Sequence, residues 1–124
     1  KVALSDLFKM YNDIVKQILY FEKAEVETLC KEESQKWHDM LLGIKGKITD
    51  YLNRLGIYEN KTVIENETIW QDDMDFIEIM EGEEDDNKPE GLISKINSIG
   101  FHYIDGENKK KYIEKTKVFV YRKS

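Results

Sequence analysis

Apolar residues recur at three- and four-residue steps over the first fifth of the chain. Leu4, Leu7, Phe8, Tyr11, Ile14, Val15, Ile18, Leu19 and Phe21 fall on one stripe of a helix. Ser5 reads as its N-cap, and Asp6 suits the positive end of the helix dipole. The stripe thins after Glu22. Val26, Leu29 and Cys30 can continue it, but Glu25, Glu27, Glu32 and Glu33 make the stretch polar. A break is expected between Glu22 and Ser34. A second helix follows, with Trp37, Leu41, Ile44, Ile48, Tyr51 and Leu55 at alternating steps of four and three. This is the seam of helices packed at a shallow angle. Ser34 reads as its cap, and Gly56 suits the left-handed position just past its end. Gly43 and Gly46 lie inside it, at about 1 kcal/mol each relative to alanine, unless they admit a neighbouring backbone.

Beyond Gly56 the helical period disappears. Thr62-Val63-Ile64, Thr68-Ile69-Trp70 and the run from Phe76 to Met80 are short and rich in β-branched or aromatic residues, and read as strands. The acidic run from Glu81 to Pro89 reads as a loop. Leu92, Ile93 and Ile96 open another strand, and the run from Ile99 to Ile104 follows. Asp105-Gly106-Glu107-Asn108 has turn chemistry, and Tyr112-Ile113 and the alternating Val118-Phe119-Val120-Tyr121 are strands. Helices first, then about six short strands, predicts an α+β fold with a helical region over 1–56 and a small all-β domain over 57–124.

Two helices cannot bury both stripes by themselves. At roughly 1.5–3 kcal/mol per large side chain, leaving either stripe wet is costly. Homodimerisation into a four-helix bundle through Trp37, Leu41, Ile44, Ile48, Tyr51 and Leu55 is the simplest solution. A helical hairpin lying on the sheet is the rival.

Composition narrows the function. The 124 residues carry 19 Lys+Arg against 25 Asp+Glu, a formal net charge of -6, which argues against a nucleic-acid partner. Charged residues are 35% of the chain, above the roughly 25% of an average domain, and no apolar run approaches the roughly 20 residues of a membrane span. The sequence opens on Lys1, so it reads as a piece of a longer chain and a missing leader carries no information. One cysteine, Cys30, excludes an intrachain disulfide framework and makes a reducing, cytoplasmic compartment the default. The sequons Asn60-Lys61-Thr62 and Asn66-Glu67-Thr68 are what an Asn-rich chain shows by chance.

No constellation of residues carries catalysis. Asp72, Asp73 and Asp75 lack the glycine and terminal glutamate of a calcium loop. His38 and Cys30 have no orienting third group, and the seven glycines form no phosphate loop. The reading is a protein that is not an enzyme and takes no cofactor. Two features stand out instead. Lys109-Lys110-Lys111 places positive charge just after a turn of an acidic protein, where it can meet an acidic partner or simply keep the turn solvated. Trp70, near Met74, is either an interface anchor or a core tryptophan.

The order of segments adds a further pointer. A seam helix ends in Leu55-Gly56-Ile57. Short strands, an acidic loop with Pro89-Glu90-Gly91, an apolar strand ending Ile99-Gly100-Phe101, a turn, and a closing Lys117-Val118-Phe119-Val120-Tyr121-Arg122-Lys123 follow. From about Leu4 to Lys123 this resembles GrpE, the nucleotide exchange factor of Hsp70 (DnaK) chaperones. The resemblance implies a homodimeric co-chaperone. Two helices per subunit would form a four-helix bundle, preceded by a long coiled coil, and a small β-domain would wedge open the Hsp70 nucleotide-binding domain and speed ADP release. By position it implies a partner surface of Trp70, Asn97, Lys110, Lys111 and Val120, with Gly43 as a bundle glycine. The family's Phe-Asp-Pro…His-Glu-Ala signature corresponds to the stretch from Ile69 to Phe76, where its proline and histidine are absent. A second reading is therefore a dimeric adaptor of the same fold without exchange activity.

Overall fold

A computed structural model describes residues 3–24, 31–61 and 63–124. The expectations placed on Val26, Leu29, Cys30 and Thr62 lie outside them. Among the described residues two helices, α1 (Leu4–Ala24) and α2 (Lys31–Arg54), precede six short strands. These are β1 (Ile57–Glu59), β2 (Ile77–Glu84), β3 (Ile93–Ser98), β4 (Phe101–Ile104), β5 (Lys110–Glu114) and β6 (Thr116–Arg122). The fold is α+β, in two compact units, Lys1–Leu55 and Gly56–Ser124.

In the helical unit the first turn of α1 closes on Ala3, whose carbonyl accepts from the Asp6 and Leu7 amides. Ser5 therefore lies inside the helix and is not its cap. Ser34 is likewise four positions into the Lys31–Arg54 helix, because Glu32 and Glu33 in the first turn suit its positive end and carry it further upstream. The helices run antiparallel. Phe21 stacks on Trp37 at 6.5 Å between centroids, His38 Nε2 lies 3.0 Å from Glu22 Oε1, and the Lys45 ammonium is 5.9 Å from the Tyr11 ring centre. Phe8, Tyr11, Ile18 and Leu52 are buried. At the C-terminal end the Leu55 amide is shared between the carbonyls of Tyr51 and Leu52. Gly56 then turns left-handed at φ 79°, a conformation that only glycine adopts without cost.

The β unit holds two three-stranded sheets, in the orders β1-β4-β5 and β2-β6-β3. The first is antiparallel throughout. In the second, β6 is central, parallel to β2 and antiparallel to β3. Val63, Ile77, Ile93, Val118 and Val120 form the core, with Trp70, Met74, Phe76, Ile79 and Ile96 packed on it. Burying five such aliphatic side chains contributes roughly 1.5–3 kcal/mol each.

Three local expectations differ from the fold. Val63-Ile64 and Thr68-Ile69-Trp70 form no strand. Asn66 turns left-handed at φ 63° between them, and the Ile64 amide is taken by Thr68 Oγ1 at 2.8 Å. Ile69 keeps only an isolated bridge to Leu92. Conversely, the acidic residues 81–84 are not loop but the second half of β2, paired with β6 as far as Glu84 opposite Arg122. Their charges suit an edge strand, where side chains face water. The strand at Ile57 was also unexpected; its three residues pair with β4.

Candidate partner-binding surfaces

The apolar stripe of α2 is split lengthwise. Leu52 is buried, and Leu41 and Ile48 are half-buried. Trp37, Ile44, Tyr51 and Leu55 stay 49%, 39%, 54% and 53% exposed, and Met40 lies open beside them. Positions three, four and seven apart share a helix face, so these side chains form a continuous apolar row along α2. The helix thus has one flank in its own unit and one flank open. Large exposed apolar rows of this kind mark association surfaces.

The residues expected on the partner surface of the β unit are divided between its two sheets, and not all of them reach the surface. Val120 is 2% exposed and belongs to the core, so its side chain has no surface to offer. It pairs with Ile93 across β3, and strand alternation turns it inward along with Val118. Trp70 is half-buried and packs on the same core, and its amide donates to the Gly91 carbonyl at 2.8 Å. Asn97 is half-buried on β3 of the second sheet, whereas Lys110 and Lys111 are exposed at the start of β5 in the first.

The turn ahead of β5 is built by Asp105. Its Oδ1 accepts from the amides of Glu107 and Lys109 at 2.8 and 3.0 Å, and its own amide donates to the Lys109 carbonyl at 2.9 Å. Asn108 takes the left-handed conformation the turn requires, φ 61°. The Lys109 and Glu107 amides, and then the Lys111 ammonium, hold the Asp105 carboxyl below its ordinary value. Lys111 Nζ lies 3.9 Å from Asp105 Oδ2, so part of the positive charge is answered within the turn. Lys109 and Lys110 carry the rest.

Sequence reasoning passed over two neighbours of this turn. Tyr103 stands opposite Lys111 and Ile104 opposite Lys110, and both apolar side chains are exposed. The signal was present in Tyr103-Ile104-Asp105-Gly106, two apolar residues running directly into a turn, where the ribbon extends past the core.

His102 is a different kind of residue. It is 8% exposed at the centre of the first sheet. Its Nδ1 lies 2.8 Å from Asn60 Oδ1, and Asn60 Nδ2 donates to the Glu114 carbonyl at 3.3 Å. Tyr58 and Tyr112 flank the ring, each 6.0 Å away between centroids. Burial, and then the Lys110 charge, push its basicity down. The Asn60 amide serves this network and is itself buried.

Among the described residues no three His, Cys, Asp or Glu side chains converge as a metal site would require, and no helix is long and apolar enough to cross a membrane. Comparison with known proteins gives no matching family model, no matching curated protein and no matching solved structure.

Proposed function

We propose that the chain is a GrpE-like nucleotide exchange factor, a co-chaperone that binds the nucleotide-binding domain of an Hsp70/DnaK-type chaperone and promotes ADP release. In this reading it is a cytoplasmic homodimer with no catalytic residue and no cofactor, and neither nucleic acid nor membrane is a partner. Two copies join through the open row of α2, completing a four-helix bundle. The β unit carries the partner contact.

One observation carries the reading. The helical unit leaves Trp37, Ile44, Tyr51 and Leu55 exposed in a row, while the β unit has a core of its own on the β2-β6-β3 sheet and presents Lys110 and Lys111 beside a turn. That is the division of labour the segment order resembles, a helical part for self-association and a small β part for a partner. The mechanism needs no chemistry of its own. A factor that binds the open conformer of an Hsp70 better than the closed one shifts the population towards it, and nucleotide leaves faster. A tenfold preference corresponds to about 1.4 kcal/mol of differential binding.

The adaptor reading is favoured by a specific observation of its own. Of the five residues expected at the partner surface, Val120 is buried and Trp70 is packed on the core. A dimer of this fold that holds another protein without exchanging nucleotide accommodates that loss. The release rate of labelled ADP from a cognate Hsp70, with and without the protein, separates the two. Acceleration supports exchange, and binding without acceleration supports the adaptor.

A further inference from the structure

His102 is placed where one proton can act on three strands. It sits on β4, the middle strand of the β1-β4-β5 sheet, and Asn60, just past β1, links it to the Glu114 carbonyl of β5. The Asn60 orientation fixes the tautomer. Its Nδ2 is committed to Glu114, so its Oδ1 is the atom facing the imidazole, and His102 Nδ1 must carry the hydrogen. In the neutral ring Nε2 is then bare.

A proton added at Nε2 leaves the bond to Asn60 in place but puts a full charge on a buried ring. The groups facing that ring come from both neighbouring strands. They are Tyr58 from β1, and Tyr112 and Lys110 from β5. The two tyrosines offer aromatic rings, and the Lys110 charge opposes a second positive charge on the imidazole. Glu59 and Lys111 alternate to the opposite face of their strands. Glu114, two positions beyond Tyr112, lies on the same face of β5, but burial and Lys110 are what move the proton affinity of the ring, so no carboxylate compensates the added charge.

We propose that His102 is a proton-sensitive latch of the β1-β4-β5 sheet: neutral, it holds the three strands and the lysine-bearing start of β5 in register, and protonation loosens that sheet while the β2-β6-β3 sheet stays closed. The direction follows from linkage. Burial and Lys110 lower the proton affinity of His102 in the closed sheet, whereas the opened sheet returns it towards about 6.5. The opened form therefore binds more protons in the acid range, and stability falls as pH drops below about 6.5.

Hydrogen exchange of the whole chain, corrected for intrinsic rates and compared at pH 7.5 and 5.5, tests this. The opening constant of β1, β4 and β5 amides is expected to rise by up to about tenfold, with β2, β6 and β3 unchanged. His102→Gln keeps a side-chain donor for Asn60 but cannot titrate, and its exchange is expected to be flat over the same range. An equal pH response in wild type and H102Q overturns the latch. An NMR titration of the wild-type imidazole decides independently should H102Q fail to fold. A midpoint below about 6.5 supports the latch, and one at or above that value overturns it.

Discussion

The amide of Gly100 donates to Oγ1 of Thr116 at 3.0 Å, and this bond lies where the chain passes between its two sheets. β3 and β4 are separated only by Ile99 and Gly100, and β5 and β6 only by Lys115, yet each pair divides between sheets. The Gly100 carbonyl accepts from the Asn60 amide at 2.9 Å, and the Thr116 amide donates to the Phe76 carbonyl at 2.8 Å. A Cβ on Gly100 would overlap the Glu114 carbonyl and the Lys115–Thr116 peptide, which are backbone and cannot swing aside.

Gly100→Ala should therefore lower stability by about 1–3 kcal/mol, the range for forcing an added methyl into a packed site. Thr116→Val keeps the shape and removes the acceptor, leaving the buried Gly100 amide unpaired at about 1–3 kcal/mol. Urea midpoints with unchanged slopes would check both. A wild-type midpoint for Gly100→Ala would mean that the corner has room this structure does not show.

Much of this fold is legible along the chain, and the failures have physical causes. The two helices and the turn at Gly56 follow from a period that only a helix satisfies and from a residue that tolerates φ 79°. β6 is legible because Val118 and Val120 alternate with Phe119 and Tyr121. The acidic half of β2 is not, because charge at an edge strand and charge in a loop look alike until the partner strand is known. Ile69 and Trp70 have strand composition, but their bonds are taken by Gly91 and by an isolated bridge. On the candidate surface, Lys110 and Lys111 were legible as charge beside a turn. Val120 was placed there by segment order, which does not say which way a side chain points. The His102–Asn60 bond spans 42 positions and leaves no local pattern.

The open row of α2 makes a prediction about assembly. Ile44 and Leu55 are exposed, so Ile44→Asp with Leu55→Asp should leave the helical content unchanged while abolishing self-association. Sedimentation equilibrium at micromolar concentration should give a dimer for wild type and a monomer for the variant. A monomeric wild type would remove the bundle. Gly46 is the control. It lies two positions from both Ile44 and Ile48, off the seam face, and a Cβ there meets nothing within 4 Å. Gly46→Ala should raise stability by about 0.5–1 kcal/mol with the dimer mass unchanged.

Asp105 should respond to acid in a defined direction. Its carboxyl is held below the ordinary value of 3.8 by the Lys109 and Glu107 amides and by Lys111. The turn is thus stabilised above that value, and the contribution is lost as pH falls through the lower folded-state midpoint. Corrected for intrinsic rates, the protection of the Lys109 amide, whose bonds close the turn, should be lost below pH 3.8 in wild type. In Asp105→Ala, which removes the acceptor, that protection should already be lost at pH 7 and show no acid step. Identical exchange in both proteins at neutral pH would show that the carboxylate does not hold the turn.

The lysines of the same turn are not equivalent, and the difference tests the proposed partner surface. Lys111 Nζ lies 3.9 Å from Asp105 Oδ2, whereas Lys110 is exposed and its charge is felt by His102 on the neighbouring strand. Lys110→Glu reverses an exposed charge that no carboxylate of the turn answers. Lys111→Glu places two carboxylates together and disturbs the turn as well as the charge. Exposed charges act mainly on encounter, so Lys110→Glu should slow association with a cognate Hsp70 by up to about tenfold at low salt and leave dissociation nearly unchanged. The loss should shrink towards 0.15 M salt, where the Debye length is about 8 Å. Lys111→Glu should additionally quicken dissociation. Stopped-flow binding to the Hsp70 nucleotide-binding domain, with exchange of the Lys109 amide as a reporter of the turn, distinguishes the two variants. Wild-type association rates for Lys110→Glu at low salt would move the partner contact away from this turn. The exposed Tyr103 and Ile104, opposite Lys111 and Lys110, would then be the next residues to truncate.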